Sequence, residues 1–295
     1  MIWIGIIWVV LALGGTCGET LGWWYCWHKQ ANSREPGPGN WTKALVFLTG
    51  ISDYGAESLT PEQLNFLEEL EQRLGVDRMV AEPFPYDGVT ARQWAKFDAW
   101  RSLGFKEAPF WVMSLHNFWQ TLLTIVLEKQ YGRAVARCIS HRIGQPRSAN
   151  STLIFICGSA GASLALAAAP ILKEGWQVRL IIISYGGVFR ASPGLNSVEH
   201  FCHLIGTKDG WAKWPELIFP GRLGKWGSLK KAQQEHRFTQ HWTGGHGHLS
   251  YLSDRLAPES PEPLSPKTYQ ALTLDVITEL QVWQDNGVEV RYKGW

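Results

Sequence analysis

The sequence predicts a doubly wound, mostly parallel α/β sheet. Three observations lead there. Short, predominantly apolar runs, Ala44–Leu48, Thr152–Ile156 and Val178–Ile183, have the composition of strands buried on both faces. Segments with helical spacing lie between them, which is the pattern of crossover connections. The chain has 295 residues, 45% of them hydrophobic, enough to cover both faces of a sheet.

The elements follow in order. Met1 to Gly18 carries no ionisable side chain, and Leu21–Trp27 resumes the apolar character after Glu19. A bilayer span needs roughly 20 residues, and Trp23, Trp24, Tyr25 and Trp27 before His28 and Lys29 have the composition of an interfacial aromatic belt. Residues 1–28 are therefore expected to be a single-pass membrane anchor, with a buried N-terminal helix as the alternative. No positive charge precedes the apolar run, as a cleaved signal peptide would require. Lys29, Arg34 and Lys43 follow it, which places the remaining domain in the cytoplasm by the positive-inside rule. Residues 29–43, with Pro36-Gly37-Pro38-Gly39, have linker composition.

Residues 44–295 form the α/β domain. After the first strand, Thr60-Pro61-Glu62-Gln63 reads as a helix start with a capping box. Leu64, Leu67, Leu70 and Leu74 then recur at helical spacing up to Gly75. Arg78–Ala81 is the second strand, Phe201–Ile205 the fifth and Arg237–His241 the sixth, with helices over Tyr131–His141 and Ala160–Lys173. Ser265-Pro266 is expected to open a last helix that runs through Trp283 and ends at Asn286-Gly287. The stretch between the second and third strands exceeds one crossover. Its Ala108–Leu127 part holds His116 as its one basic or acidic side chain and comes with Trp94, Trp100, Trp111 and Trp119. Residues 88–130 are read as a Trp-rich helical cap or membrane-docking insertion. A second span is disfavoured by Ser114, His116, Asn117, Gln120 and Thr121.

Composition removes several function classes. Net charge is +2 and the densest basic cluster is Lys230-Lys231, so a nucleic-acid partner is not indicated. The five cysteines lack CxxC spacing, which argues against a disulfide framework or a thiolate zinc site and fits a reducing compartment. His236, His241, His246 and His248, with the pair His200/His203, raise a metal site as an alternative. No HExxH accompanies them and no carboxylate lies between His236 and His248, so neither metal nor cofactor is expected.

The chemistry gathers at the third strand. Cys157-Gly158-Ser159-Ala160-Gly161 is strand, tight turn and helix, with small residues on both sides of Ser159. A nucleophile on such a turn is held in strained backbone, so its neighbours must lack bulk. The helix that follows directs free N–H groups at an oxyanion. The alternative is a small-residue turn that packs a helix on a sheet. A serine nucleophile needs a base, and the base needs an orienting acid. Asp209 stands in the loop after the fifth strand. His248 stands in the glycine-rich Gly244-Gly245-His246-Gly247-His248, with His246 as the alternative base. Oxyanion donors are expected from Ala160 and from Gly50 and Ile51 in the loop after the first strand. Cys157 is rejected as nucleophile because a strand-end thiol is buried. Arg222 is weighed as an anion binder against a structural ion pair.

The order strand, Ser159, Asp209, histidine resembles the α/β-hydrolase superfamily over roughly residues 44–285. More narrowly, several patches resemble a group of cyanobacterial and other bacterial membrane-associated proteins of that superfamily. They are Leu48-Thr49-Gly50-Ile51-Ser52-Asp53-Tyr54, Phe84-Pro85-Tyr86, Leu115-His116-Asn117 with Gln120, Tyr131-Gly132-Arg133, Gly186-Gly187-Val188, Gly206-Thr207-Lys208-Asp209 and Phe219-Pro220-Gly221-Arg222. The elbow of that group usually reads Gly-Tyr-Ser-Gly-Gly, from which Cys157, Gly158 and Ala160 depart. The resemblance implies a serine hydrolase cleaving a small-molecule or lipid ester or thioester at a membrane. The alternative is a hydrolase-fold scaffold without activity, serving as a tethered interaction protein. Oligomeric state leaves no trace in the sequence.

Overall fold

The computed structural model describes residues 2–50, 59–81, 110–213, 219, 222, 227–259 and 266–280. Six strands form one sheet: β1 (Lys43–Leu48), β2 (Arg78–Val80), β3 (Thr152–Gly158), β4 (Arg179–Tyr185), β5 (His200–Ile205) and β6 (Phe238–Trp242). Their order is β2-β1-β3-β4-β5-β6, and every neighbouring pair is parallel. Parallel pairing demands that both faces be covered, and the strands comply: all seven positions of β3 are buried, and all but Lys43 in β1.

One face of the sheet is covered by α2 (Pro61–Leu74) and α8 (Tyr269–Glu279). Phe66, Leu67, Leu70, Leu274 and Ile277 close over Phe47, Ile154, Ile156 and Ile183. The start of α2 is fixed as its sequence foretells. Thr60 Oγ1 accepts from Gln63 N–H at 3.3 Å, and Thr60 N–H donates back to Gln63 Oε1 at 2.9 Å. Helix α8 begins later than expected. Pro266 lies outside it, and Thr268 Oγ1 caps Ala271 N–H at 3.1 Å. Ser265 and the helix end anticipated at 283–287 lie outside the described residues.

The other face carries α4 (Glu128–Ile143) and α5 (Gly161–Trp176), with α7 (Ser228–Gln234) beside them. Here Val135, Ile139, Leu164, Ala165 and Ala168 pack on Val46, Phe155 and Ile182. Outside this layer lie α1 (Ile2–Asn32) and α3 (Phe110–Val126), in contact with each other and with α4. Residues 33–40 run along the end of α4, where Gly37 N–H donates to Ser140 O at 3.0 Å.

The N-terminal expectation is corrected here. No helix among the described residues is long and apolar enough to cross a membrane, so the single-pass anchor over 1–28 and the location built on it are withdrawn. The physical reason is visible in the second half of α1. Thr16, Thr20, Trp23, Trp27 and Ala31 share one side of the helix and are buried. Thr16 Oγ1 accepts from Trp119 Nε1 at 3.2 Å, Trp23 stacks on Trp27 at 5.8 Å, and Trp27 meets Tyr131 at 5.4 Å. Trp23 and Trp27 are thus core residues rather than an interfacial belt. The 88–130 stretch is described from Phe110 onward. Trp94 and Trp100 lie outside the described residues, and α3 exposes Phe118, Leu122 and Val126 on its outer side.

Because all strands run one way, the exits of β3, β4 and β5 share an edge. The chain leaves β1 toward β2 and leaves β3 toward β4, so the connections from the paired strands β1 and β3 run in opposite directions, at the point where parallel sheets open a crevice.

Candidate active site

Ser159 sits between β3 and α5 with φ 48°, a left-handed conformation that costs a non-glycine residue of order 1 kcal/mol or more. The turn is fastened on both sides: Ser159 N–H donates to Tyr185 O at 3.2 Å, and Ser159 O accepts from Val188 N–H at 3.0 Å. The small neighbours have a steric reason. A Cβ on Gly158 would stand 2.7 Å from the Tyr185 hydroxyl, and one on Gly161 would stand 2.8 Å from the Leu48 carbonyl oxygen. The Gly158 contact is with the outer end of the Tyr185 side chain, whereas the Gly161 contact is with backbone, so Gly161 is the stricter of the two.

Asp209 follows the Gly206 turn after β5, where its own N–H donates to Gly206 O at 2.9 Å. Its side chain is fully buried. Asp209 Oδ1 accepts from Trp211 N–H at 3.0 Å, at the start of the one-turn helix α6 (Gly210–Lys213). Oδ2 accepts from the Tyr251 hydroxyl at 2.7 Å and lies 3.0 Å from His248 Nδ1. The other ring nitrogen of His248, Nε2, is 3.0 Å from Ser159 Oγ. These bonds fix the tautomer. Tyr251 Oη receives Gly206 N–H at 2.9 Å, which leaves its own proton for Asp209. A carboxylate surrounded by donors can only accept, so His248 Nδ1 carries the proton and the Nε2 lone pair faces Ser159.

His246, the alternative base, is engaged elsewhere. Its Nε2 pairs with Thr243 Oγ1 at 3.0 Å and its Nδ1 with Gly247 O at 3.1 Å. Its ring is wedged between Tyr251 and Tyr269, at 4.4 and 4.9 Å, and burial holds the imidazole below its ordinary range. The structure brings Ser159, Asp209 and His248 together and leaves His246 out of that contact. Of the expected oxyanion donors, Ala160 precedes α5, and its N–H has no acceptor among the described residues. Gly50 is buried in the loop beyond β1, while Ile51 lies outside the described residues. Tyr251 was not foreseen; its signal in the sequence is only its place three residues after His248.

The other candidates have structural placements. Cys157 is fully buried, and burial pushes its thiol well above the usual range. Arg222 donates through Nη1 to Phe189 O at 3.2 Å and lies 4.4 Å over the Phe189 ring, which ties Arg222 to the loop after β4. Among the described residues no three His, Cys, Asp or Glu side chains converge as a metal site. His200 pairs instead with Thr239 Oγ1 at 3.1 Å.

Burial also moves two strand histidines, His200 to about 4 and His203 to about 3. Both lie below the ordinary value of 6.5, so the unfolded chain binds protons that the fold refuses. The stability they permit is complete above about pH 6.5 and falls as pH drops toward their folded values, by about 1.4 kcal/mol per unit per histidine at most. Urea midpoints measured from pH 7 to 4 are expected to decline over this window. His203→Phe, which replaces the ring 5.2 Å from Phe189 by an apolar one, is expected to flatten the decline.

No family model matches the chain, and no curated protein sequence does. Two solved structures are similar at the level of the backbone trace. A dienelactone hydrolase-like promiscuous phosphotriesterase from metagenomic libraries covers 84% of this chain and 87% of its own, at 10% identity and a TM-score of 0.47. A chain named m3DLH covers 83% and 86%, at 13% identity and a TM-score of 0.47. Likenesses of this degree assign no activity to the chain.

Proposed function

We propose that this chain is a serine hydrolase of α/β-hydrolase type that cleaves an ester or thioester. The observation that carries the reading is the continuous contact from Ser159 through His248 to Asp209, on a turn whose serine is held at positive φ. Ser159 Oγ attacks the carbonyl carbon and passes its proton to His248 Nε2. Asp209 holds the imidazole in the required tautomer and offsets the positive charge that forms on it. Ala160 N–H, at the positive end of the α5 dipole, stabilises the oxyanion; Gly50 is the second donor in this account. His248 then protonates the leaving group, and water hydrolyses the acyl-enzyme by the same steps in reverse.

The substrate in this account is an apolar acyl ester, of the kind found in lipids. Leu249, 87% exposed next to His248, and Trp211, 59% exposed beyond Asp209, support it, because large exposed apolar side chains at a reactive edge suit an acyl chain. The test is turnover of p-nitrophenyl esters from acetate to decanoate. A burst of p-nitrophenol followed by steady hydrolysis, with kcat/KM rising with chain length, is expected. Equal rates along the series contradict the substrate class, and absence of turnover in folded protein favours the inactive-scaffold alternative.

A further inference from the structure

The inference concerns Tyr251 and rests on the triad proposed above. Tyr251 is 1% exposed, yet its hydroxyl makes two directed bonds: it accepts from Gly206 N–H at 2.9 Å and donates to Asp209 Oδ2 at 2.7 Å. Oδ2 is the same oxygen that faces His248 Nδ1 at 3.0 Å. Trp211 N–H occupies Oδ1, so the carboxylate is held at both oxygens by groups from separate parts of the chain. The phenol ring is itself fixed, with Tyr185 at 5.7 Å on one side and His246 at 4.4 Å on another. A Cβ on Gly186 would stand 2.7 Å from Tyr251 Cε2, so the exit of β4 also closes on this ring.

We infer that Tyr251 is a positioning residue of the catalytic group: it locks the Asp209 carboxylate in the rotamer that aims Oδ2 at His248 Nδ1. The Tyr251 hydroxyl is the donor that shares Oδ2 with the imidazole, so its loss loosens the oxygen that faces His248 Nδ1. The hydroxyl acts through geometry and through shared charge on Oδ2, and it touches no reacting atom. Its loss therefore lowers the rate of the chemical step and leaves substrate binding alone. Tyr251 also packs edge-on against His246 at 4.4 Å, so one ring contacts His246 while its hydroxyl serves the partner of His248.

The test is Tyr251→Phe, which keeps the ring and removes the hydroxyl. Expected are a fall in kcat of about tenfold, as when one hydrogen bond to a charged group is lost, with KM unchanged. The low-field proton resonance of His248 Nδ1–H is expected to move and broaden. That resonance is present whether or not Ser159 reacts, so a moved resonance in a protein without esterase activity overturns the proposed function and keeps the positioning contact. Replacement of Tyr251 by 3-fluorotyrosine, a stronger donor of the same shape, serves where the phenylalanine variant does not fold, and it too must shift the resonance. A resonance and a kcat unchanged by the fluorinated residue or by phenylalanine, or a loss expressed in KM alone, overturns the inference.

Discussion

Ser159→Ala is expected to reduce kcat by about 10⁴–10⁶-fold while the fold stays intact, because removing the nucleophile leaves only the oxyanion donors and substrate binding to act. The companion variant separates chemistry from architecture. Ser159 holds φ 48°, a conformation a side chain pays for and glycine does not. Ser159→Gly is therefore expected to be as inactive as the alanine variant yet more stable than the unsubstituted chain by about 1 kcal/mol. Urea midpoints and ester turnover on the same preparations check both halves. An active alanine variant removes Ser159 from the mechanism, and a destabilised glycine variant removes strain from the account of the turn.

The second large effect discriminates between His248 and His246. His248 Nε2 lies 3.0 Å from Ser159 Oγ, whereas both ring nitrogens of His246 are used by Thr243 and Gly247. His248→Ala is expected to cost about 10⁴-fold or more in kcat with little change in stability, since its side chain is 20% exposed. His246→Ala is expected to do the reverse: a loss of about 2 kcal/mol of stability from the emptied space between Tyr251 and Tyr269, and activity within about tenfold of the starting level. Equal losses of activity in the two variants contradict the separation.

The sheet was legible because its central strands β1, β3 and β4 are buried on both faces along most of their length and show it as nearly unbroken apolar runs. The turn that carries Ser159 was legible because the Leu48 carbonyl oxygen leaves its mark as Gly161. The choice between His246 and His248 was not, since both sit in one glycine-rich loop. What parts them is Thr243 and Tyr269, contacts made only after folding. Tyr251 escaped notice for the same reason: its partners Gly206 and Asp209 come from another strand exit. The N-terminal segment misled because hydropathy records that Trp23 and Trp27 avoid water without saying what they meet. They meet each other, and Trp27 meets Tyr131. Thr268 rather than Ser265-Pro266 begins the last helix, a choice between two capping residues that composition cannot rank.

The central claim is that Ser159 is an activated nucleophile, and one experiment addresses it without knowledge of the substrate. The folded chain is treated with a fluorophosphonate, and the adduct is mapped by mass spectrometry, with Ser159→Ala and His248→Ala alongside. The account predicts one adduct, on Ser159, absent from Ser159→Ala and formed far more slowly in His248→Ala. No adduct on the folded protein, or an adduct that persists in Ser159→Ala, contradicts it.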